Sequence, residues 1–245
     1  MNGINFDFSG QRILVTGASS GIGLEIALQL MTSGAQVYAL GRNRKVLQQL
    51  HADGAQVLAV DVAESAALEQ VLSELPVLHG LVNCAGVSVL EAASAISAEG
   101  FDRVMAVNAR AAALVASRVA AAMIAGGVQG SIVNVSSQAS LVALDDHLAY
   151  CASKAALDAM TRVQCAEWGR HGIRVNSVNP TVTLTPMAAE AWAAPAKRDP
   201  ALAAIPLGRF AESSEVAGPV LFLLSNAASM ISGVSLPVDG GYTAR

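Results

Sequence analysis

Seven short apolar runs recur along the chain: "RILVTG", "AQVYALG", "QVLAVDV", "GLVNCAG", "GSIVNVSS", "IRVNSVNP" and "SLPVDGG". Val, Ile and Leu dominate them with little strict alternation, the pattern of strands buried on both faces. Between them lie stretches of helical composition at residues 22–33, 43–53, 64–74, 98–125, 148–169 and 213–225. Strands alternating with helices in this way call for parallel pairing, and right-handed crossovers then place helices on both faces. The pattern predicts an α/β fold, a doubly wound seven-stranded parallel sheet. No Pro/Gly/Ser-rich linker or shift in composition divides the chain, so residues 1–245 read as a single domain with a substrate-side insertion at about 186–211. In such sheets ligands bind beyond the carboxyl ends of the strands. The residues that end each strand are therefore the ones to inspect.

Composition narrows the class. Hydrophobic residues make up 53% of the chain and charged ones 14%, which excludes disorder. A net charge of −4 without a long basic run argues against nucleic acid as a partner. The start, "MNGINFDFSGQR", has no basic segment leading into an apolar one and does not read as a signal peptide. No stretch offers ~18 uninterrupted apolar residues, the usual length of a membrane span. The most apolar candidate, "ARAAALVASRVAAAMIAGG", carries Arg110 and Arg118 and reads as a buried or interface helix. Cys84, Cys151 and Cys165 are odd in number and lack metal-ligand spacing. They fit reduced thiols in a cytoplasmic protein, and no metal site is expected.

The first strand runs into "TGASSGIGLEIALQL". Gly17, Gly21 and Gly23 stand between a strand and a helix, where missing side chains let a pyrophosphate approach the backbone and the helix start favours the anion. The second strand ends in Gly41 and Arg42, where an NAD site usually has an acid for the ribose 2′-hydroxyl. A guanidinium beside a small residue suits a 2′-phosphate, which favours NADP(H) over NAD(H). Arg42 and its basic neighbours Arg44 and Lys45 would otherwise simply solvate a helix start. Asp61 ends the third strand and can accept from the adenine amine, with Val62 against the ring; an ordinary helix cap is the competing role for Asp61.

Residues 149–162, "AYCASKAALDAMTR", set Tyr150 and Lys154 one helical turn apart. Such pairs often only pack together. With "TGASSGIG" (16–23), "NCAG" (83–86), Asn108 in "VMAVNAR", Ser137 in "IVNVSS", "YCASK" (150–154) and "NPTVTLT" (179–185), however, the chain resembles the short-chain dehydrogenase/reductase family over nearly its whole length. The stretches "IVNVSSQAS", "VNPTVTLTPM", "IPLGRFAE" and "LPVDGGY" are nearest to its carbonyl reductases of ketoses and dicarbonyls. Cys84 departs from the family's usual Asn, and Thr181 from its frequent Gly.

The resemblance implies a Rossmann fold and a hydride exchanged between nicotinamide and a small carbonyl or carbinol carbon. Tyr150 would then exchange a proton at the oxygen. A phenol, with a reference pKa of about 10, is a poor base at neutral pH, and the positive charge of Lys154 favours its anion. Ser137 would hydrogen-bond the substrate oxygen as charge develops there. By resemblance Lys154 also binds the nicotinamide ribose, and Asn108 holds a water linking Lys154 to solvent; bonding across a helix kink is the other role open to Asn108. Ser19, Ser20 and Ile22 join the three glycines around the phosphates. Asn83, Ala85 and Gly86 line the adenosine-ribose side, and Pro180, Thr183 and Thr185 the nicotinamide and pyrophosphate side. Gln138, His147 and Trp192 match the substrate pocket, with a solvated loop histidine and a packed tryptophan as the plainer alternatives.

The leading reading is thus an NADP(H)-dependent reductase of a ketose or dicarbonyl, expected as a homotetramer without membrane or nucleic-acid partners. An NAD-dependent sugar-alcohol dehydrogenase is the nearest alternative. A non-catalytic dinucleotide-sensing protein is the alternative of another class, and the full Ser137, Tyr150 and Lys154 set weighs against it. Epimerase or dehydratase chemistry usually accompanies a longer chain with an added substrate domain.

Overall fold

In β1 (Arg12–Thr16), Ile13 and Val15 turn to one face and Leu14 to the other, and all three are fully buried. That double burial repeats in β2 (Gln36–Gly41), β4 (Gly80–Asn83), β5 (Ser131–Val135) and β6 (Arg174–Pro180). With β3 (Gln56–Ala59) and β9 (Ser235–Val238) they form a seven-stranded parallel sheet in the order β3-β2-β1-β4-β5-β6-β9. The computed structural model describes residues 6–185, 188 and 192–244.

Each face carries its own core. On one, α1 (Gly21–Thr32) and α8 (Ser213–Leu224) bring Ile26, Leu30, Val216 and Val220 against Ile13, Val15, Val82 and Val133. On the other, α3 (Ser65–Ser73) and α5 (Ala112–Ala125) bring Leu68, Leu72, Val115 and Met123 against Leu14, Leu81 and Ile132. The strand order reverses between β1 and β4, which opens the ligand crevice of a doubly wound sheet there. The remaining helices are α2 (Arg44–Ala52), α4 (Ala98–Met105), α6 (Leu148–Trp168) and α7 (Pro195–Ala204).

Two features depart from the pattern read in the sequence. The 98–125 stretch is not one uniform helix: a wide π turn at Ala106–Ala111 separates α4 from α5. By length and composition Ala98–Ala125 could cross a membrane, yet half of its apolar window is buried within this fold. The second departure lies in the insertion expected at about 186–211. Residues 186–187 and 189–191 are outside the described residues; the rest carries α7, and β8 (Ala211–Glu212) pairs with β7 (Thr183–Leu184) as a small separate sheet.

A polar row crosses the sheet near its carboxyl edge. Thr16, Asn83, Asn134 and Ser177 stand in register on β1, β4, β5 and β6. The Asn83 amide donates to Asn134 Oδ1 at 2.9 Å, and Asn134 Nδ2 donates to Thr161 Oγ1 of α6 at 2.8 Å. Ser177 Oγ donates to Asp158 Oδ1 of the same helix at 2.9 Å. Apolar contact alone would let α6 slide or roll; these directional bonds fix it. Asn134→Ala takes one buried hydrogen bond each from Asn83 and Thr161 and is expected to cost about 2–3 kcal/mol. A thermal melt that does not move would refute this bracing role.

Candidate active site

The turn after β1 meets the turn after β4. Thr16 Oγ1 accepts from the N–H groups of Cys84 and Ala85 at 3.1 and 3.2 Å, drawing the two strand ends together. Gly17 lies so close to this turn that a Cβ on it would come 2.8 Å from Ala85 N, and one on Gly23 would come 2.4 Å from Gly17 O. Only glycine fits at either place. The N-cap of α1, Ser20, makes no side-chain capping bond and the first turn holds no acid, so the first-turn N–H groups are left for an anion. Thr185 closes over the same point, its Cγ2 3.1 Å from where a Cβ on Gly21 would stand. Ile22 packs against the core beneath. Thr183 is buried and donates to Thr181 O, and Thr185 Oγ1 accepts from Ala188 N.

At the ends of β2 and β3, Arg42 pairs with Asp61 at 3.2 Å, both partly exposed. Ser19 Oγ accepts from Asn43 N and abuts Gly41, where a Cβ would come 2.4 Å from that oxygen. Asp61 Oδ1 accepts from Ala63 N, before α3 begins at Ser65, so Asp61 closes a turn and does not cap the helix. Val62 is 8% exposed and sits at the second core. The Asn83 side chain is likewise committed to the fold by its bonds to Asn134 and Ala112.

Tyr150 opens α6 and Lys154 follows one turn later, with its Nζ 5.7 Å from the phenol ring centroid. Lys154 is 4% exposed and donates to Val135 O at 2.8 Å, while Ser136 Oγ donates back to Lys154 O at 3.2 Å. These reciprocal bonds join α6 to the end of β5, directly before Ser137. Among the described residues no carboxylate pairs with the buried ammonium, so its charge remains for a ligand. Ser137 is 8% exposed and its Oγ accepts from Ala139 N at 3.1 Å, leaving its proton to donate.

Asn108 lies within the π turn, a distortion frequent at functional sites. Its Nδ2 donates to Val87 O and Ser153 Oγ, and its Oδ1 accepts from Val87 N at 2.8 Å. One lone pair of Oδ1 is left. A methyl on Gly86 would sit 3.5 Å from that oxygen and 3.7 Å from Lys154 Nζ, so the two groups border a common space.

On the substrate side, Gln138 is 4% exposed with its Oε1 buried and without a hydrogen-bond partner among the described residues. His147 lies edge-on to Tyr150 at 6.1 Å, and its Nδ1 is 2.6 Å from Asp145 O. A carbonyl only accepts, so Nδ1 carries the proton and Nε2 is left as an acceptor in the neutral ring. Asp146, beside it, holds φ +61 and accepts from Glu91 N at 2.9 Å, tying the His147 loop to the one after β4. Trp192 packs edge-on to Phe210 at 5.8 Å. Burial pushes the Cys84 thiol up to about 12, against the opposing pull of the Lys154 ammonium. The residues that the sequence reading missed are those behind the site: Thr16, Asn134, Ser140, Ser153 and Asp158. The signal available for Asp158 was its place one turn after Lys154 on the same helical face.

A family model described as enoyl-(acyl carrier protein) reductase matches residues 17–243. The chain belongs to the short-chain dehydrogenase/reductase family. It is 48% identical to an L-xylulose reductase of Caenorhabditis elegans, over 98% of each chain. It is 42% identical to a D-threitol dehydrogenase of Mycolicibacterium smegmatis, over 99% of this chain and 97% of that one. Among solved structures, a proposed NAD(P)-dependent gluconate 5-dehydrogenase from Beutenbergia cavernae, with NADP bound at low occupancy, superposes with a TM-score of 0.93 at 34% identity. That match covers 99% of this chain and 100% of the other. As a member of this family the protein is an oxidoreductase that uses a nicotinamide dinucleotide, and the glycine cradle and uncapped α1 start fit that ligand.

Proposed function

We propose that the protein reduces a short ketose or dicarbonyl with NADPH, and oxidises the corresponding polyol in reverse. The observation that carries this reading is the joining of the Tyr150–Lys154 helix to the end of β5 beside Ser137, at the sheet edge that holds the glycine cradle. The bound nicotinamide would supply or accept the hydride. Tyr150 would donate the proton to the carbonyl oxygen in reduction and take it back in oxidation. The Lys154 ammonium would offset the negative charge that develops on the phenol oxygen as the proton leaves. Ser137 would donate a hydrogen bond to the reacting oxygen, stabilising charge there. Water between Asn108 Oδ1 and Lys154 Nζ would return protons from solvent. Gln138 and the free Nε2 of His147 would bond substrate hydroxyls. Trp192, held against Phe210, would wall the pocket.

The identity to an L-xylulose reductase over nearly the full chain supports a sugar-derived carbonyl substrate. Arg42 supports NADP(H), with its guanidinium available to a ribose 2′-phosphate. Its existing pair with Asp61 also favours a second reading, an NAD-dependent polyol dehydrogenase in which that pair is simply structural. We further place the enzyme in the cytoplasm as a homotetramer. Support for assembly comes from the groove of about 630 Å³ between the α4–α5 unit and α6, where Met105, Ala109, Ala113, Ala156 and Met160 form an apolar floor and Asp102 and Arg110 also line it.

Three measurements test these assignments. Tyr150→Phe is expected to lower kcat by about three orders of magnitude, within the usual range for removing an acid–base group, while NADPH affinity changes less than about threefold. Retention of most activity would remove the mechanism. Arg42→Asp is expected to cut kcat/KM for NADPH by about 100-fold and to spare NADH; equal use of both cofactors by the parent would favour the polyol dehydrogenase. Sedimentation at micromolar protein should give four chains per particle, and a monomer would contradict the assembly.

A further inference from the structure

Behind Ser137 lies a buried carboxylate with no part in the chemistry above. Asp158 stands on α6 one turn beyond Lys154 and is 4% exposed. Its Oδ2 accepts from Ser140 Oγ at 2.6 Å and from Asn179 Nδ2 at 2.8 Å, and its Oδ1 accepts from Ser177 Oγ at 2.9 Å. Among the described residues no Lys, Arg or His pairs with it. An apolar side chain would fill such a place at less cost to folding, so the charge has to be accounted for by what it holds.

What it holds is the backbone of Ser137. Ser140 Oγ is 2.8 Å and Asn179 Nδ2 is 3.2 Å from Ser137 O. A serine hydroxyl has one proton, and the carboxylate at 2.6 Å takes it, because a charged acceptor outcompetes a carbonyl. Asn179 Nδ2 has two hydrogens: one goes to Asp158 Oδ2 at 2.8 Å, and the other is shared between Ser140 Oγ at 2.8 Å and Ser137 O at 3.2 Å. Ser137 O is held by the Ser140 N–H at 3.0 Å, which closes the turn from 137 to 140, with Asn179 at longer reach; Asp158 holds Ser140 both directly and through Asn179. Ser137 Oγ caps that same turn through Ala139 N, so its direction follows the turn.

We propose that Asp158 is a positioning residue: through Asn179 and Ser140 it sets the direction of the Ser137 hydroxyl relative to Tyr150 on the same helix. The proposal rests on the reading of Ser137 as donor to the reacting oxygen. A buried charge with three directional bonds does this better than apolar packing, which has no preferred angle.

The test is a double-mutant cycle on the full-length enzyme, with NADPH and diacetyl or L-xylulose as probe substrates. Ser137→Ala alone should lower kcat by about 100-fold or more, as expected for losing an oxyanion donor. Asp158→Ala should lower kcat by about 10- to 100-fold while the dissociation constant of NADPH moves less than about threefold. In the Ser137→Ala background, Asp158→Ala should have almost no further effect on kcat, because its influence passes through the missing hydroxyl. Asp158→Asn should recover most of the rate: its carboxamide oxygen can still accept from Ser140 and Asn179, with its amine turned to the Ser177 hydroxyl. Losses that multiply in the double variant would overturn the proposal, as would full activity of Asp158→Ala. Should Asp158→Ala fail to fold, Ser140→Ala takes its place in the same cycle, with the same requirement of non-additivity. If Ser137→Ala itself keeps full activity, the assignment of Ser137 fails, and that outcome is separate from a failure of Asp158 alone.

Discussion

The site depends on hydrogen bonds between the buried face of α6 and the carboxyl ends of two strands. Lys154 reaches Val135 O on β5, Asp158 reaches Ser177 and Asn179 on β6, and Thr161 reaches Asn134 on β5. These anchors lie along one side of a helix whose other buried residues are the apolar Ala149 and Leu157 and Ser153, itself bonded to Asn108. Apolar burial holds a helix against a sheet but is non-directional. Polar bonds in a water-poor interior act over short distances and narrow angles. Helix α6 therefore has one rotation and one height relative to β5, and the Tyr150 phenol on its first turn inherits both.

Much of this architecture is legible in the chain because the sheet is buried on both faces. Continuous Val, Ile and Leu runs mark the strands, and the six helical stretches read from composition end within a residue or two of the observed limits, whereas α7 had no such signal. Strand ends were harder to read. "GLVNCAG" carries strand-like residues on to Cys84 and Ala85, yet β4 stops at Asn83 because Thr16 captures the next two N–H groups. "QVLAVDV" likewise outlasts β3, where Asp61 closes a turn onto Ala63. In the helix at 98–125 the π turn has no compositional mark; Asn108 bonding the Val87 backbone is a contact between segments distant in sequence. Asp158 was hidden for the same reason: its partners come from 18 to 21 residues away, on other elements.

The nucleotide cradle divides its work between shape and charge. Shape comes from backbone brought close, with Gly17 against Ala85 and Gly23 against Gly17 leaving no room for a side chain. Charge comes from the start of α1 and, in the role proposed above, from Arg42. Because Arg42 already has Asp61 as an anionic partner, capture of a phosphate there would be an exchange of one anion for another. The gain would then be the difference between a phosphate and a carboxylate, not the full attraction of a free guanidinium.

Cys84 brings a sulfur to the centre of an enzyme built for electron-pair traffic. With its thiol pushed up to about 12 by burial, little of it carries the reactive anion at neutral pH. Peroxides and alkylating agents attack the anion, so this sulfur is chemically quiet despite its address. A raised thiol beside the nucleotide crevice thus adds bulk there without adding a ready nucleophile.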